Sequence, residues 1–332
     1  MKSEPLTEIA LNIIDKRGKL ALNEASHEIL QYRYADGIIS EALKYYAKAI
    51  FPRVLPIFPA LIYLSCKAVG GEPEKTKSLA ATLLLITASG DIHDDIIDKS
   101  SHKLHRKTVF GKYGRDIALL AGDALLVQGM TLLQTNCESL PVDQRKEIAN
   151  LIAKSMLEIV EAEAAETCLW KKVNVNPQEY FEVIRHKGSV AELHCRIGGI
   201  LGCADEMALD NITNYGRIIG ILSTMKDEFM DMLNYSELDH RIKNEMVPYP
   251  LLYALQNDQF KKQIMPIITK NDFSKKDLTF IAKSTFNSIE VKKLKAELRE
   301  LGENELVSNI LLKCDEKENE AAVLLQALAV EL

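Results

Sequence analysis

The chain has 332 residues, 47% of them hydrophobic, 27% charged and 6% aromatic, with a net charge of −6 at pH 7. That apolar share supports a sizeable core, and the low aromatic content suits helices packed through Leu, Ile and Ala. The acidic balance excludes a duplex nucleic-acid binder with a broad basic face, so an anionic ligand must be held by a few local cations and metal. No Ser- or Gly-rich tract separates two halves, which predicts one helical domain over 1–332. Six cysteines (Cys66, Cys137, Cys168, Cys195, Cys203 and Cys314) lack paired metal-binding spacing and point to a reducing compartment. The N-terminus shows no signal-peptide pattern, and the longest apolar runs fall short of the roughly 20 residues of a membrane span. A soluble, cytoplasmic protein is expected.

Apolar residues recur at helical spacing nearly throughout, and strand signals are almost absent. The spacing predicts a helix from Leu6 to about Leu30 with a break at Gly18, and a second from about Ile38 to Ile50. Pro52, Pro56 and Pro59 punctuate the entry to a third, which ends at Gly70-Gly71. The next runs from about Pro73 to Ser100 and is followed by a polar loop, Ser101 to Thr108. Helices follow over Asp116 to Gln134, Pro141 to Leu169, Pro177 to about Gly202 and Asn211 to Tyr235. Beyond Pro248-Tyr-Pro250 the chain is helical and lysine-rich, ending in a short apolar segment, Ala321 to Leu332.

Two of these helices carry chemistry. Asp91-Ile-His-Asp-Asp-Ile-Ile-Asp98 closes an apolar run, with Asp94 and Asp98 one turn apart and Asp95 beside Asp94. A solvated acidic helix end is the commoner fate of such a run, but Leu83-Leu84-Leu85-Ile86 upstream argue for burial, where like charges need a cation. Oxygen ligands without His or Cys spacing favour Mg²⁺ over Zn²⁺, and Mg²⁺ recruits phosphate oxygens, so a diphosphate ligand is expected. Lys226-Asp-Glu-Phe-Met-Asp231 repeats the i, i+1, i+4 arrangement in Asp227, Glu228 and Asp231. Together the two triplets would supply carboxylates to several metal ions. The cations of the Ser101–Thr108 loop, close in sequence to the first triplet, are placed at the same site. His93 reads as a packing residue rather than a ligand, and Lys226 as either a diphosphate contact or an exposed helix lysine.

Ile92 to Asp98, Leu120-Ala-Gly-Asp-Ala-Leu-Leu126, Glu161-Ala-Glu163, Val183 to Lys187 and Asp227 to Asp231 together resemble the trans-isoprenyl diphosphate synthases. These form the polyprenyl synthetase family of class I all-α prenyltransferases. The resemblance implies an antiparallel helical bundle with a deep central cavity, assembled as a homodimer or as a heterodimer with another synthase subunit. It further implies that Mg²⁺ holds an allylic diphosphate whose ionisation yields a cation attacked by isopentenyl diphosphate. On it, Asp94, Asp95, Asp98, Asp227, Glu228 and Asp231 are metal ligands, and Lys187 contacts the diphosphate. Catalysis falls to Asp94, Asp95, Asp98, Lys187 and Asp227. Ser89 and Gly90, upstream of the first motif, leave room for a product of about C20 or longer, by analogy.

The departures concern isopentenyl diphosphate. Leu55 and Phe58 stand where the family carries Lys and Arg, leaving Arg53 nearby, and Lys103-Leu104 with Arg106 replace an Arg pair. Ser223-Thr224 replace Phe-Gln, Glu166 replaces a glutamine, Glu228 replaces an aspartate, Asp91 is an additional acid, and the Gly-Lys-rich loop after the second motif is missing. Three functions stay open. The first is a prenyl diphosphate synthase, alone with Arg53, Lys103 and Arg106 re-forming the co-substrate site, or as one subunit of a heteromer. The second is a terpene synthase-like lyase, and the third a non-catalytic partner of a synthase.

Overall fold

The structure, a computed structural model, describes residues 6–31, 37–103, 106–172 and 174–307, together with 320, 323, 324 and 327. Its helices are α1 (Leu6–Gln31), α2 (Ile38–Tyr45), α3 (Ile57–Ala68), α4 (Lys77–Ile97), α5 (Val109–Tyr113), α6 (Arg115–Asn136), α7 (Val142–Leu169) and α8 (Pro177–Lys187). They continue with α9 (Ser189–Leu201), α10 (Glu206–Asp231), α11 (Tyr235–Asn244), α12 (Tyr249–Ala254), α13 (Asp258–Ile268), α14 (Lys275–Asn287) and α15 (Ile289–Val307). Among the described residues the only sheet is a two-stranded antiparallel hairpin, β1 (His102–Lys103) with β2 (Arg106–Lys107), where a polar loop is expected from sequence. The apolar segment expected at Ala321 to Leu332 lies largely outside the described residues.

The chain groups into two compact units. One comprises the described residues of Glu8–Asn150 and His194–Leu209; the other comprises those of Met1–Thr7, Leu151–Leu193 and Asp210–Leu332. In the first unit α4 packs along α6, and its Leu83, Leu85 and Ile92 are buried. In the second, α8 and α15 pack on α12, and α14 packs on α11, α12 and α15.

Several expected boundaries shift for local reasons. The break at Gly18 is absent and α1 is continuous. A Cβ on Gly18 would lie 2.2 Å from the Pro56 carbonyl oxygen, so the glycine serves close packing rather than a bend. The helix expected over Ile38 to Ile50 passes into a π-helical turn, Tyr46–Ile50, and a 3-10 turn, Phe51–Arg53. The helix expected from Pro177 to about Gly202 is interrupted at Gly188, although Gly188 N still donates to Ile184 O (3.1 Å) and Glu192 N to Gly188 O (3.2 Å). The α10 helix ends at Asp231 because Asn234 begins another: its side chain accepts from Ser236 N (3.1 Å) and Glu237 N (3.4 Å), capping α11. The expected end of α3 at Gly70-Gly71 is observed, with Gly70 at φ +83° and Gly71 N donating to Cys66 O (2.9 Å).

Apolar length also departs from expectation. The 22-residue α6 is long and apolar enough to cross a membrane by length and composition, because its sparse polar groups are mostly uncharged. Here α6 packs on α4 while Leu119, Leu120, Val127 and Met130 stay exposed.

Candidate active site

The first acidic triplet lies at the end of a largely buried helix. Asp95 is 4% exposed, whereas Asp94 and Asp98 are half-buried. The α4 helix closes when Lys99 takes a left-handed conformation (φ 59°) and Ser100 N donates back to Asp95 O (2.9 Å). That turn sends the chain into the hairpin, which Tyr45 anchors by donating its hydroxyl to Lys107 O (2.6 Å). Lys103 thereby reaches back, with Nζ 2.5 Å from Asp91 Oδ1 and 3.9 Å from Asp95 Oδ1. On the other side of Asp91, the buried Tyr46 hydroxyl donates to Oδ2 (3.5 Å).

This crowding reshapes the titration of the acids. Burial pushes the Asp95 carboxyl up to about 8; Lys103 opposes the shift, and the neighbouring Asp91 and Asp94 add to it. Burial alone would lower Lys103, but Asp91, Asp95 and Asp94 hold its ammonium above the ordinary lysine value. His93 packs against α6, as expected: Nε2 lies 3.4 Å from Asp123 Oδ1, and a Cβ on Gly122 would come within 2.3 Å of it. The Gly122-Asp123 pair thus makes room for the His93 ring and supplies it with a carboxylate.

The second triplet has the same spacing and a different environment. Asp227 is exposed, Glu228 is 6% exposed and Asp231 is half-buried. Arg241 of α11, itself 6% exposed, inserts its guanidinium between the last two. Nη1 donates to Asp231 Oδ2 (2.6 Å), and Nη2 reaches Glu228 Oε1 (3.0 Å) and Oε2 (3.2 Å). The Tyr180 hydroxyl lies 3.0 Å from Glu228 Oε1 and 3.0 Å from Glu166 Oε1, its single hydrogen serving both, and it accepts from Arg241 Nη2 (3.0 Å). Tyr249 N donates to Glu228 Oε2 (2.6 Å). Burial pushes the Asp231 carboxyl up to about 7; Arg241 opposes the shift, and Glu228, Glu237 and Asp227 add to it.

The network extends to Lys187, whose Nζ pairs with Glu163 Oε1 (3.0 Å) and with Glu166 Oε2. Burial would raise Glu166, but Lys187 and Arg241 hold it below the ordinary carboxylate range. Tyr46, Tyr180 and Arg241 belong to no motif legible in the sequence. The one available signal was the Asn234-Tyr-Ser-Glu237 cap, which announces the helix that carries Arg241.

The two triplets differ as cation sites. Among the described residues, no three His, Cys, Asp or Glu side chains converge as a preformed metal cage. Mg²⁺ does not require one, since it keeps several waters and binds through one or two carboxylates plus substrate phosphate. The first triplet fits such an ion: its donors are hard oxygens, and the like charges around Asp95 would be relieved by it. At the second, Glu228 does not fit, and Asp231 already shares Oδ2 with Arg241 Nη1. A carboxylate offers about four acceptor positions, and Glu228 engages Arg241 through both oxygens, the Tyr180 hydroxyl and Tyr249 N.

Arg53 is exposed at the end of its 3-10 turn, Arg106 is exposed on β2, and Lys226 is half-buried on α10. Ser89 is buried, while a Cβ added to Gly90 would meet nothing within 4 Å. Phe58 stacks on the buried His194 ring, with centroids 4.9 Å apart.

Comparison with known proteins identifies the class. The geranylgeranyl pyrophosphate synthetase of Pyrococcus horikoshii superposes with a TM-score of 0.79 over 98% of this chain and 97% of that one, at 24% identity. The polyprenyl synthase of Caulobacter crescentus, solved with calcium and isoprenyl diphosphate, gives 0.80 over 97% and 98%, at 16% identity. The fold is therefore the all-α fold of class I isoprenoid synthases. Within that class the chain belongs to the polyprenyl synthetase family, whose model matches residues 38–284. The short chain isoprenyl diphosphate synthase of Methanothermobacter thermautotrophicus is 30% identical over 182 residues, 54% of this chain and 55% of that protein. The chain spans about half the length of the curated relatives that it matches first.

Proposed function

We propose that this chain is a Mg²⁺-dependent trans-prenyltransferase of isoprenoid biosynthesis. It ionises an allylic diphosphate and adds isopentenyl diphosphate, giving a prenyl diphosphate of about C20 or longer, alone or as a subunit of a heteromeric synthase. The observation that carries this reading is the buried Asp95 with Asp91 and Asp94 beside it, an acid set that calls for a divalent cation. Mg²⁺, when bound, supplies charge that stabilises the departing diphosphate.

Asp94, Asp95 and Asp98 would hold the metal, with Asp227 as the exposed acid of the second triplet. Lys187 would contact the allylic diphosphate by exchanging Glu163 and Glu166 for phosphate oxygens, and Lys103 would exchange Asp91 in the same way. With Lys103, Arg53 and Arg106 would form a co-substrate site for isopentenyl diphosphate. The chain length is assigned by analogy from the small residues Ser89 and Gly90. The apolar face of α6 supports assembly as a dimer, with Leu120, Val127 and Met130 at 52%, 61% and 47% exposure. Cys66, Cys137, Cys168 and Cys203 are in no disulfide, in keeping with a cytoplasmic setting.

One observation favours a second reading, a subunit that is silent without its partner. Both candidate diphosphate lysines, Lys103 and Lys187, are already paired with carboxylates of their own unit. The test is turnover with Mg²⁺ and geranyl, farnesyl or geranylgeranyl diphosphate, with and without labelled isopentenyl diphosphate. Elongated labelled product is expected. Hydrocarbon or alcohol formed without isopentenyl diphosphate would replace the synthase by a lyase, and silence relieved only by a second synthase chain would establish the subunit reading.

A further inference from the structure

We propose that Arg241 is the resident cation of the second acidic triplet, so that Glu228 and Asp231 hold a guanidinium in place of a divalent metal ion. Every polar edge of that guanidinium is engaged. Nη1 serves Asp231, Nη2 serves Glu228 and Tyr180, and Nε donates to Met246 O (2.9 Å) with Glu245 Oε2 at 3.1 Å. Glu228 is equally committed, with Tyr180 and Tyr249 N on the lone pairs that Arg241 leaves.

A planar, permanently charged guanidinium suits this role, because its fork matches two carboxylates at once and it cannot be deprotonated. A metal ion entering here would have to displace it from a pocket in which it is almost wholly buried, leaving the arginine without its counter-ions. The substitution at the middle position of the motif agrees with this arrangement. The longer Glu228 side chain reaches the interior, to Arg241 and the backbone of Tyr249, while Asp227 stays exposed. Divalent ions are therefore expected at the first triplet and not on Glu228 or Asp231. The inference rests on the proposed function only in taking the first triplet as its reference site.

The experiment counts Mn²⁺ ions bound to the full chain by electron paramagnetic resonance, with and without inorganic pyrophosphate. Glu228→Gln and Asp231→Asn are expected to leave the number of ions and their affinity unchanged. A lost ion, or weakening of about tenfold or more in either variant, would overturn the proposal. Asp94→Asn should lose an ion; if it does not, the metal reading of the first triplet fails, while the result for Glu228 and Asp231 still decides the second. Arg241→Gln is expected to gain an ion and a Mn²⁺-dependent rise in melting temperature larger than that of the wild type. A folded Arg241→Gln that gains neither would also overturn the proposal. Should that variant not fold, the Glu228 and Asp231 variants decide the question.

Discussion

The two acidic triplets have one spacing and two chemistries. At the end of α4 the cation is a lysine on a short hairpin, 42% exposed, and burial, with Asp91 and Asp94 adding to it, pushes Asp95 up to about 8 against that lysine. At the end of α10 the cation is a buried arginine, and the carboxylate beside it is saturated with donors. A motif therefore sets where carboxylates sit on a helix, whereas the residues facing that helix decide what neutralises them. An exposed lysine can be exchanged for metal and phosphate at small cost; a buried guanidinium cannot.

The contrast can be broken by removing either cation or the acids it serves. The largest effect is expected from Arg241→Met, which strands Glu228 as an uncompensated buried charge and should cost about 3–5 kcal/mol in denaturant unfolding. Adding Glu228→Leu should recover most of that loss, and a double variant no more stable than the single one would show that the pair is not coupled. Next is Asp94→Ala, expected to lower Mg²⁺-dependent turnover by about 10²–10³-fold or more. An undiminished rate would remove the first triplet from the reaction. Tyr180→Phe should be milder, about 1–3 kcal/mol, because it takes one hydroxyl from between buried carboxylates that keep their cations.

The pH dependence of stability sharpens the comparison further. Asp95, at about 8, and Asp231, at about 7, both stand above the ordinary value of 3.8, so the folded chain keeps protons that the unfolded chain releases. Their stabilising contribution is complete below that ordinary value and is lost as pH rises, through about 7 for Asp231 and about 8 for Asp95. Asp231→Asn and Asp95→Asn should each flatten the fall of stability over its own window. Added Mg²⁺ should flatten the Asp95 window alone, and an equal effect on both would contradict the difference between the triplets.

Much of the architecture was legible before any coordinates. Period-3.6 apolar spacing marks most of the helices, and the Gly70-Gly71 stop and the Asp94, Asp95, Asp98 cluster read directly, because these signals are local. The hairpin carrying Lys103 did not, since two strands of two residues leave no periodicity to read. Nor did the role of Gly18, which leaves room for the backbone of Pro56, far along the chain.

By itself the sequence determined an all-α protein of the polyprenyl synthetase family with two acidic triplets, and it identified which carboxylates belong to each. It also exposed the irregularity at Glu228. Only the tertiary structure decided that Lys103 returns to Asp91, that Lys187 lies between Glu163 and Glu166, and that Arg241 fills the second triplet. Helical spacing is set by backbone geometry within a few residues, whereas the partner of a buried charge is chosen by packing between segments tens of residues apart, where desolvation makes every unpaired charge costly.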